Sequence, residues 1–310
     1  MALMSDIYDR GGVVVMFPEG ERTFDGRTMP VLPGIGRLLQ RRHYQVVTAR
    51  NHTGYFFQPR WAKYPRWVPI RVEYDMPRVY PEDMSPEDIN ADIEQRICND
   101  MRGRKAPWGS FGFRMAHGLP GFLWACPACL TPEGLKVSPK DGNHVDCVGC
   151  GETFKVDVSA WIHPLKAGGE GMPVYEAYDR IVDALTVDVL GTSKDEAGRP
   201  IILESPVAEV NKMIRRGQNE QVAQGRLRLL PGILQVVDAT GAPVWEVAIE
   251  ALGAINLDVG DQLFIRHEHH LLRIEPGAES RVKWAHFLRH YHPKYEHLRP
   301  VVPQGARGDG

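Results

Sequence analysis

Val13-Val14-Val15-Met16-Phe17-Pro18-Glu19-Gly20-Glu21-Arg22-Thr23 is the stretch on which the reading of this chain turns. Its opening apolar run, rich in β-branched residues, suits a buried strand. The run stops at Pro18-Glu19-Gly20, because proline cannot donate to a sheet ladder and glycine admits a sharp turn. Arg22 enters the same corner, three residues after Glu19. A guanidinium fork grips phosphate or carboxylate through two parallel hydrogen bonds. The expected site is an anion pocket at the carboxyl end of a strand, where ligands sit in open α/β sheets.

Residues 12–17, 44–49 and 68–74 read as strands and Gly34 to Arg42 as a helix, an alternation that suggests an α/β unit. A second helix is expected over 86–101. Ser85 is its N-cap, Pro86 takes the first position, and Glu87 and Asp88 suit the positive end. Ile89, Ile93, Ile97 and Met101 form one apolar stripe on it. Tyr55, Phe56, Phe57, Trp61, Tyr64 and Trp67 interleave with Arg60, Lys63 and Arg66. That mixture suits either a membrane interface or a segment packed on the core.

The block Phe17-Pro18-Glu19-Gly20-Glu21-Arg22-Thr23 resembles the Phe-Pro-Glu-Gly-Thr-Arg-Ser block of the glycerolipid acyltransferases of the lysophosphatidate type. The turn Asp25-Gly26-Arg27 and the loop and helix from Val31 to Leu39 are similar to the segment downstream of that block in the family. Tyr44 to Ala49 falls where the family has its next strand, with Thr48 in place of a proline. The likeness covers roughly residues 10–80. It implies that residues 1–105 are the C-terminal part of an acyltransferase domain, a mixed sheet with helices. It also implies that Phe17, Pro18, Glu19, Gly20 and Arg22 bind the substrate, with Glu19, Gly20 and Arg22 in the acceptor's phosphate site. The family's catalytic His-x-x-x-x-Asp lies upstream of this block, and no histidine of this chain has Asp five positions later. No catalytic residue is therefore expected in this chain. Met1-Ala2-Leu3-Met4 opens almost directly onto a core strand, which suggests an N-terminal truncation.

Residues 106–125 read as a linker punctuated by glycine and proline. Residues 126–160 are a small separate unit. Cys126-Pro127-Ala128-Cys129 and Cys147-Val148-Gly149-Cys150 stand seventeen residues apart. Two such knuckles suit tetrahedral Zn²⁺ bound by four thiolates, a zinc ribbon. Iron in a rubredoxin-like site and a pair of disulfides are the alternatives. Four thiolates leave no open coordination position, so the zinc is expected to be structural. Cys98 is left over.

Residues 161–224 read as a connecting segment, with a helix around Tyr175 to Ala184 and a second beginning at Ser205-Pro206. Residues 225–295 carry short strands separated by turns at Pro231-Gly232, Thr240-Gly241 and Gly260-Asp261. A closing helix comes after them, with Trp284, Phe287, Leu288 and Tyr291 on one face. This pattern resembles a small pleckstrin-homology-like or GRAM-like β-barrel with a C-terminal helix. His267, His269 and His270 read as a solvated strand edge. Residues 296–310 are expected to be a disordered tail.

The chain has 310 residues, 37 Lys and Arg against 39 Asp and Glu, and a net charge of −2, which gives nucleic-acid binding no support. No stretch approaches the ~18–20 apolar residues of a membrane-spanning helix. Cysteines paired as metal knuckles suit a reducing compartment, so a cytoplasmic protein is expected; the acyltransferase resemblance implies that it is peripherally membrane-associated. The leading functional expectation is acyl transfer from acyl-CoA or acyl carrier protein to a lysophospholipid or glycerol phosphate, at a membrane surface. The alternative is a non-catalytic module in which ribbon and barrel bind a membrane or a protein.

Overall fold

A computed structural model of the chain describes residues 2–99, 101, 104–215, 218–258 and 260–295. The expected tail at 296–310 lies outside the described residues. The chain is mixed helix and sheet and divides into two compact units. The first takes in Met1–Arg60 and Pro65–Phe111, the second Trp61–Tyr64 and Gly112–His297.

The first unit holds helices Ala2–Asp9 (α1), Gly34–Arg42 (α2), Gly54–Phe57 (α3) and Pro86–Ile97 (α4). Strands Ala49–Asn51 (β1) and Val72–Tyr74 (β2) pair antiparallel. Helix α4 starts as its sequence dictates: the Ser85 hydroxyl accepts the Asp88 N–H at 3.1 Å and Pro86 fills the first turn. It ends at Ile97 rather than 101, because Cys98 turns to extended backbone. Its Ile89 and Ile93 pack with Val31, Leu38, Leu39, Tyr44 and Tyr80 in one core. Gly36 is what lets α2 come so close: a Cβ there would stand 2.0 Å from the Pro86 carbonyl oxygen. At the edge of this core, Asp92 accepts from Arg78, Tyr80 and Arg96. Burial works against the charged form, but these donors still hold the Asp92 carboxyl below the usual carboxylate range.

The mixed sheet expected in residues 1–105 is reduced to the β1–β2 pair. Residues 12–17 form no strand among the described residues. Val13, Val15 and Phe17 are each more than four-fifths exposed. Alternating apolar residues mark a face that needs cover, and a strand exists only where a neighbour supplies its ladder. No described segment does so. Of the expected strand 44–49, a single bridge from Val46 to Arg78 and the first residue of β1 remain. The strand at 68–74 shortens to β2.

The second unit opens with Leu119–Phe122 (α5), then five strands in a meander: Leu135–Val137 (β3), His144–Cys147 (β4), Thr153–Val156 (β5), Trp161–Pro164 (β6) and Met172–Pro173 (β7). Helices Val174–Ala184 (α6) and Val187–Leu190 (α7) and the small pair Ser193–Lys194 (β8) and Pro200–Ile201 (β9) lead on. Seven antiparallel strands complete the chain: Leu203–Arg215 (β10), Gln218–Leu230 (β11), Ile233–Val237 (β12), Pro243–Ala248 (β13), Leu252–Asp258 (β14), Gln262–His267 (β15) and His270–Glu275 (β16). Their order is β13-β12-β11-β10-β16-β15-β14. Helix Arg281–His290 (α8) closes the sheet, burying Trp284, Phe287 and Leu288.

From residue 106 onward the structure corrects three further sequence expectations. The helix at Ser205-Pro206 is strand β10: Ala208 and Val210 alternate inward, and Pro206 falls in a register shift between Ser205 and Ala208, where no ladder donor is needed. The sheet therefore begins at Leu203, not 225. Residues 106–125 are not a free linker, since Leu119, Phe122, Leu123 and Trp124 are almost wholly buried. Phe122 stacks on Tyr178 of α6, and Trp124 meets Phe287 of α8 edge-on. Nor is the ribbon independent of the seven-stranded sheet. The Ser280 hydroxyl caps α8 and donates to the Gly121 carbonyl. Lys283, with its side chain only 7 % exposed, bridges Glu133 at 2.9 Å and Glu279 at 2.7 Å.

Candidate functional site

The two knuckles are built alike. The Leu130 N–H donates to the Cys126 carbonyl, and the Gly151 N–H to that of Cys147. The Cys126 N–H reaches the Thr131 carbonyl, and the Cys147 N–H that of Glu152. In both, the residue after the second cysteine has positive φ, 61° at Leu130 and 72° at Gly151. These matched turns bring Cys126, Cys129, Cys147 and Cys150 together, all four sulfurs lying within 4.8 Å of one another. Cys126 and Cys150 are 3.9 Å apart, Cys129 and Cys147 3.6 Å. Sulfurs at ~2.3 Å around a tetrahedral zinc stand about 3.8 Å apart, so the group fits.

The donor chemistry also fits a cation. Burial pushes the Cys126 thiol up, against backbone N–H groups of Cys129 and Ala128 that favour its thiolate. The Thr131 hydroxyl bond pulls the Cys129 thiol down to about 6. Four sulfurs this close do not all ionise without a metal, and a divalent cation is the natural replacement for their protons. Among the described residues this is the one group of His, Cys, Asp and Glu gathered for a metal; His267, His269 and His270 form none.

Sequence reasoning missed Glu152, beside the second knuckle. Its carboxylate accepts N–H bonds from Thr153, Leu165, Lys166 and Ala167. They hold its carboxyl below the usual range, Lys166 foremost. A depressed carboxyl contributes stability above its unfolded value that is lost as pH falls through its folded value. Glu152→Gln is therefore expected to melt earlier at neutral pH, with the gap closing in acid. Melting curves across pH, with metal content followed alongside, check this; a gap independent of pH would contradict it.

The anion corner of the first unit is less tightly organised. Gly20 sits at φ 80° and its N–H closes the turn onto Phe17. Glu19 makes no bond to Arg22: it accepts the Met29 N–H at 2.7 Å, and burial raises its carboxyl. The Arg22 guanidinium donates to the Gln58 carbonyl at 2.7 Å and makes no ion pair among the described residues. Arg27 is tied to Asp25, and Arg60 to Glu21 while lying over the Phe24 ring. A cavity of about 780 Å³ opens beside them. Phe17, Pro18, Glu19, Arg22, Arg27 and Arg60 line it, as do apolar Ile35, Leu38, Leu39 and Ile93. Gly20 does not line it. Sequence reasoning did not place Arg60 in this corner, because its partner Glu21 is 39 residues away.

Fold and site together define a two-unit chain of helices and several sheets, with four cysteines placed to hold a metal. Compared with known proteins, it matches no protein-family model and no curated protein. No helix among the described residues is long and apolar enough to cross a membrane.

Proposed function

We propose that the first unit is the acceptor-binding part of a glycerolipid acyltransferase, holding a lysophospholipid or glycerol phosphate that is acylated from acyl-CoA or acyl carrier protein. The observation that carries this reading is the cavity. It places arginines beside an apolar wall, the two halves of an anionic amphiphile, and it is lined by Phe17, Pro18, Glu19 and Arg22 of the acyltransferase-like block. Acyl transfer needs a base to take the acceptor hydroxyl proton. The 310 residues hold no His-x-x-x-x-Asp for that task, so this chain's part is to bind and orient. The cysteine centre would hold zinc with no position left for substrate, and its role is structural. The four- and three-strand halves of the sheet, closed by α8, support a pleckstrin-homology-like reading of the C-terminal part.

Arg22 is the residue to test, since its remaining N–H donors are not committed to a carboxylate. Hydrogen bonds to charged groups contribute about 1.5–3 kcal/mol net, roughly 10- to 150-fold in affinity. Arg22→Ala is expected to weaken lysophosphatidate binding by that factor in calorimetric titration, with Arg22→Lys recovering part of it because an ammonium lacks the fork. If affinity is unchanged and the variant only melts earlier, Arg22 braces Gln58 and the acceptor-site assignment falls.

A further inference from the structure

An aromatic surface of the first unit takes no part in the cavity. Trp67 and Phe111 face each other across an isolated antiparallel bridge, exchanging N–H bonds of 2.8 and 3.1 Å. Their rings stack 5.9 Å apart and 12° from parallel, yet Trp67 is 69 % and Phe111 50 % exposed. Three residues before Phe111, Trp108 rides on the turn closed by Ser110 and Pro107 and is 99 % exposed. Solvent is a poor place for two indoles and a phenyl ring fixed on a rigid backbone. The segments that carry the rings hold positive charge alone. Segments 65–71 and 104–111, which carry these rings, contain Arg66, Arg71, Arg104 and Lys105 and not one Asp or Glu. Arg71, Arg104 and Lys105 are exposed.

We propose that Trp67, Trp108 and Phe111, flanked by Arg71, Arg104 and Lys105, dock this unit on an anionic phospholipid surface. Tryptophan settles at the headgroup boundary, apolar body inward and N–H toward water. Arginine and lysine beside it are drawn to the negative leaflet, and the surface needs no spanning helix to bind. The assignment does not rest on the acyltransferase reading.

The test uses the whole chain with vesicles of phosphatidylcholine, with and without phosphatidylglycerol. Sedimentation is expected with the anionic vesicles and to weaken with added salt. Each basic residue at the surface is worth about fivefold in partitioning, so Arg71→Glu with Lys105→Glu should abolish detectable binding. Trp108→Ala should weaken binding about tenfold while leaving the circular dichroism unchanged, since its side chain packs on nothing. Lipids brominated in the acyl chain should quench tryptophan emission, and Trp108→Phe should remove part of that quenching. Failure of the wild-type chain to sediment, or equal binding by Trp108→Ala, overturns the proposal. So does a dimer in light scattering that Trp108→Ala dissolves without any vesicle binding, which would make the surface a contact between two copies.

Discussion

The purified chain is expected to carry one equivalent of zinc, and stripping it should unfold far more than the loops that hold it. Zinc binding to a four-thiolate site contributes roughly 10–16 kcal/mol apparent at neutral pH, and folding of the surrounding ribbon draws on it. Cys147→Ser removes one of four ligands from a buried position and should release the metal. Strands β3 to β5 then lose the node that ties their turns. Treated as an isolated ribbon, residues 126–158 would unfold alone. The link through Glu133 argues otherwise: Glu133 lies between the knuckles, its carboxylate meets the Lys283 ammonium, and its Oε1 accepts the Ser280 N–H at the start of α8. Hydrogen exchange should therefore quicken in α8 as well as in the ribbon. Elemental analysis fixes the stoichiometry, and a visible absorption band with bound iron would replace zinc by iron. Substoichiometric metal in the freshly purified chain would sink the assignment. Faster exchange confined to the ribbon would sink the link to α8.

Trp284→Ala is expected to be the most damaging single change in the sheet domain. Trp284 is fully buried at the heart of α8, and its indole N–H donates to Glu279 at 2.9 Å. Truncating such a side chain costs about 3–5 kcal/mol in lost burial and residual cavity. In a unit of this size each kcal/mol moves the melting point ~2–4 °C, so a fall of roughly 6–20 °C is expected in calorimetry. Trp284→Phe separates the two contributions, keeping most of the apolar volume and losing only the N–H. A melting point for Trp284→Ala within the scatter of the wild type would mean that α8 does not close the sheet.

The features legible in the sequence are those whose cause is local. Ser85-Pro86 announces α4 because a cap and a fixed φ act within one turn, and the Cys-x-x-Cys knuckles announce a metal because each offers two sulfurs from one turn. The turns at Pro231-Gly232 and Gly260-Asp261 do separate successive strands. What is not legible depends on partners far along the chain. Ser205-Pro206 has the signature of a helix start, yet Ser205 pairs with Leu227 of β11, and β16 joins the same strand from Glu209 onward. The closing helix is legible as amphipathic, but nothing local points to Glu133, 150 residues earlier, as the counterion of its Lys283. In the candidate site the cysteines come together as their spacing implies, while Glu19 and Arg22 share one cavity but not a bond.

The open stretch Val13 to Phe17 has a bearing on how this protein behaves in a tube. Val13 to Met16 make no hydrogen bond among the described residues, and their segment carries no charge and no proline. Natural edge strands are guarded by lysine, proline or a bulge because a bare one templates its own copies into stacked sheets. Concentrated solutions of this chain should therefore age from the native state, by fibril seeding that grows with concentration, before heat has unfolded anything.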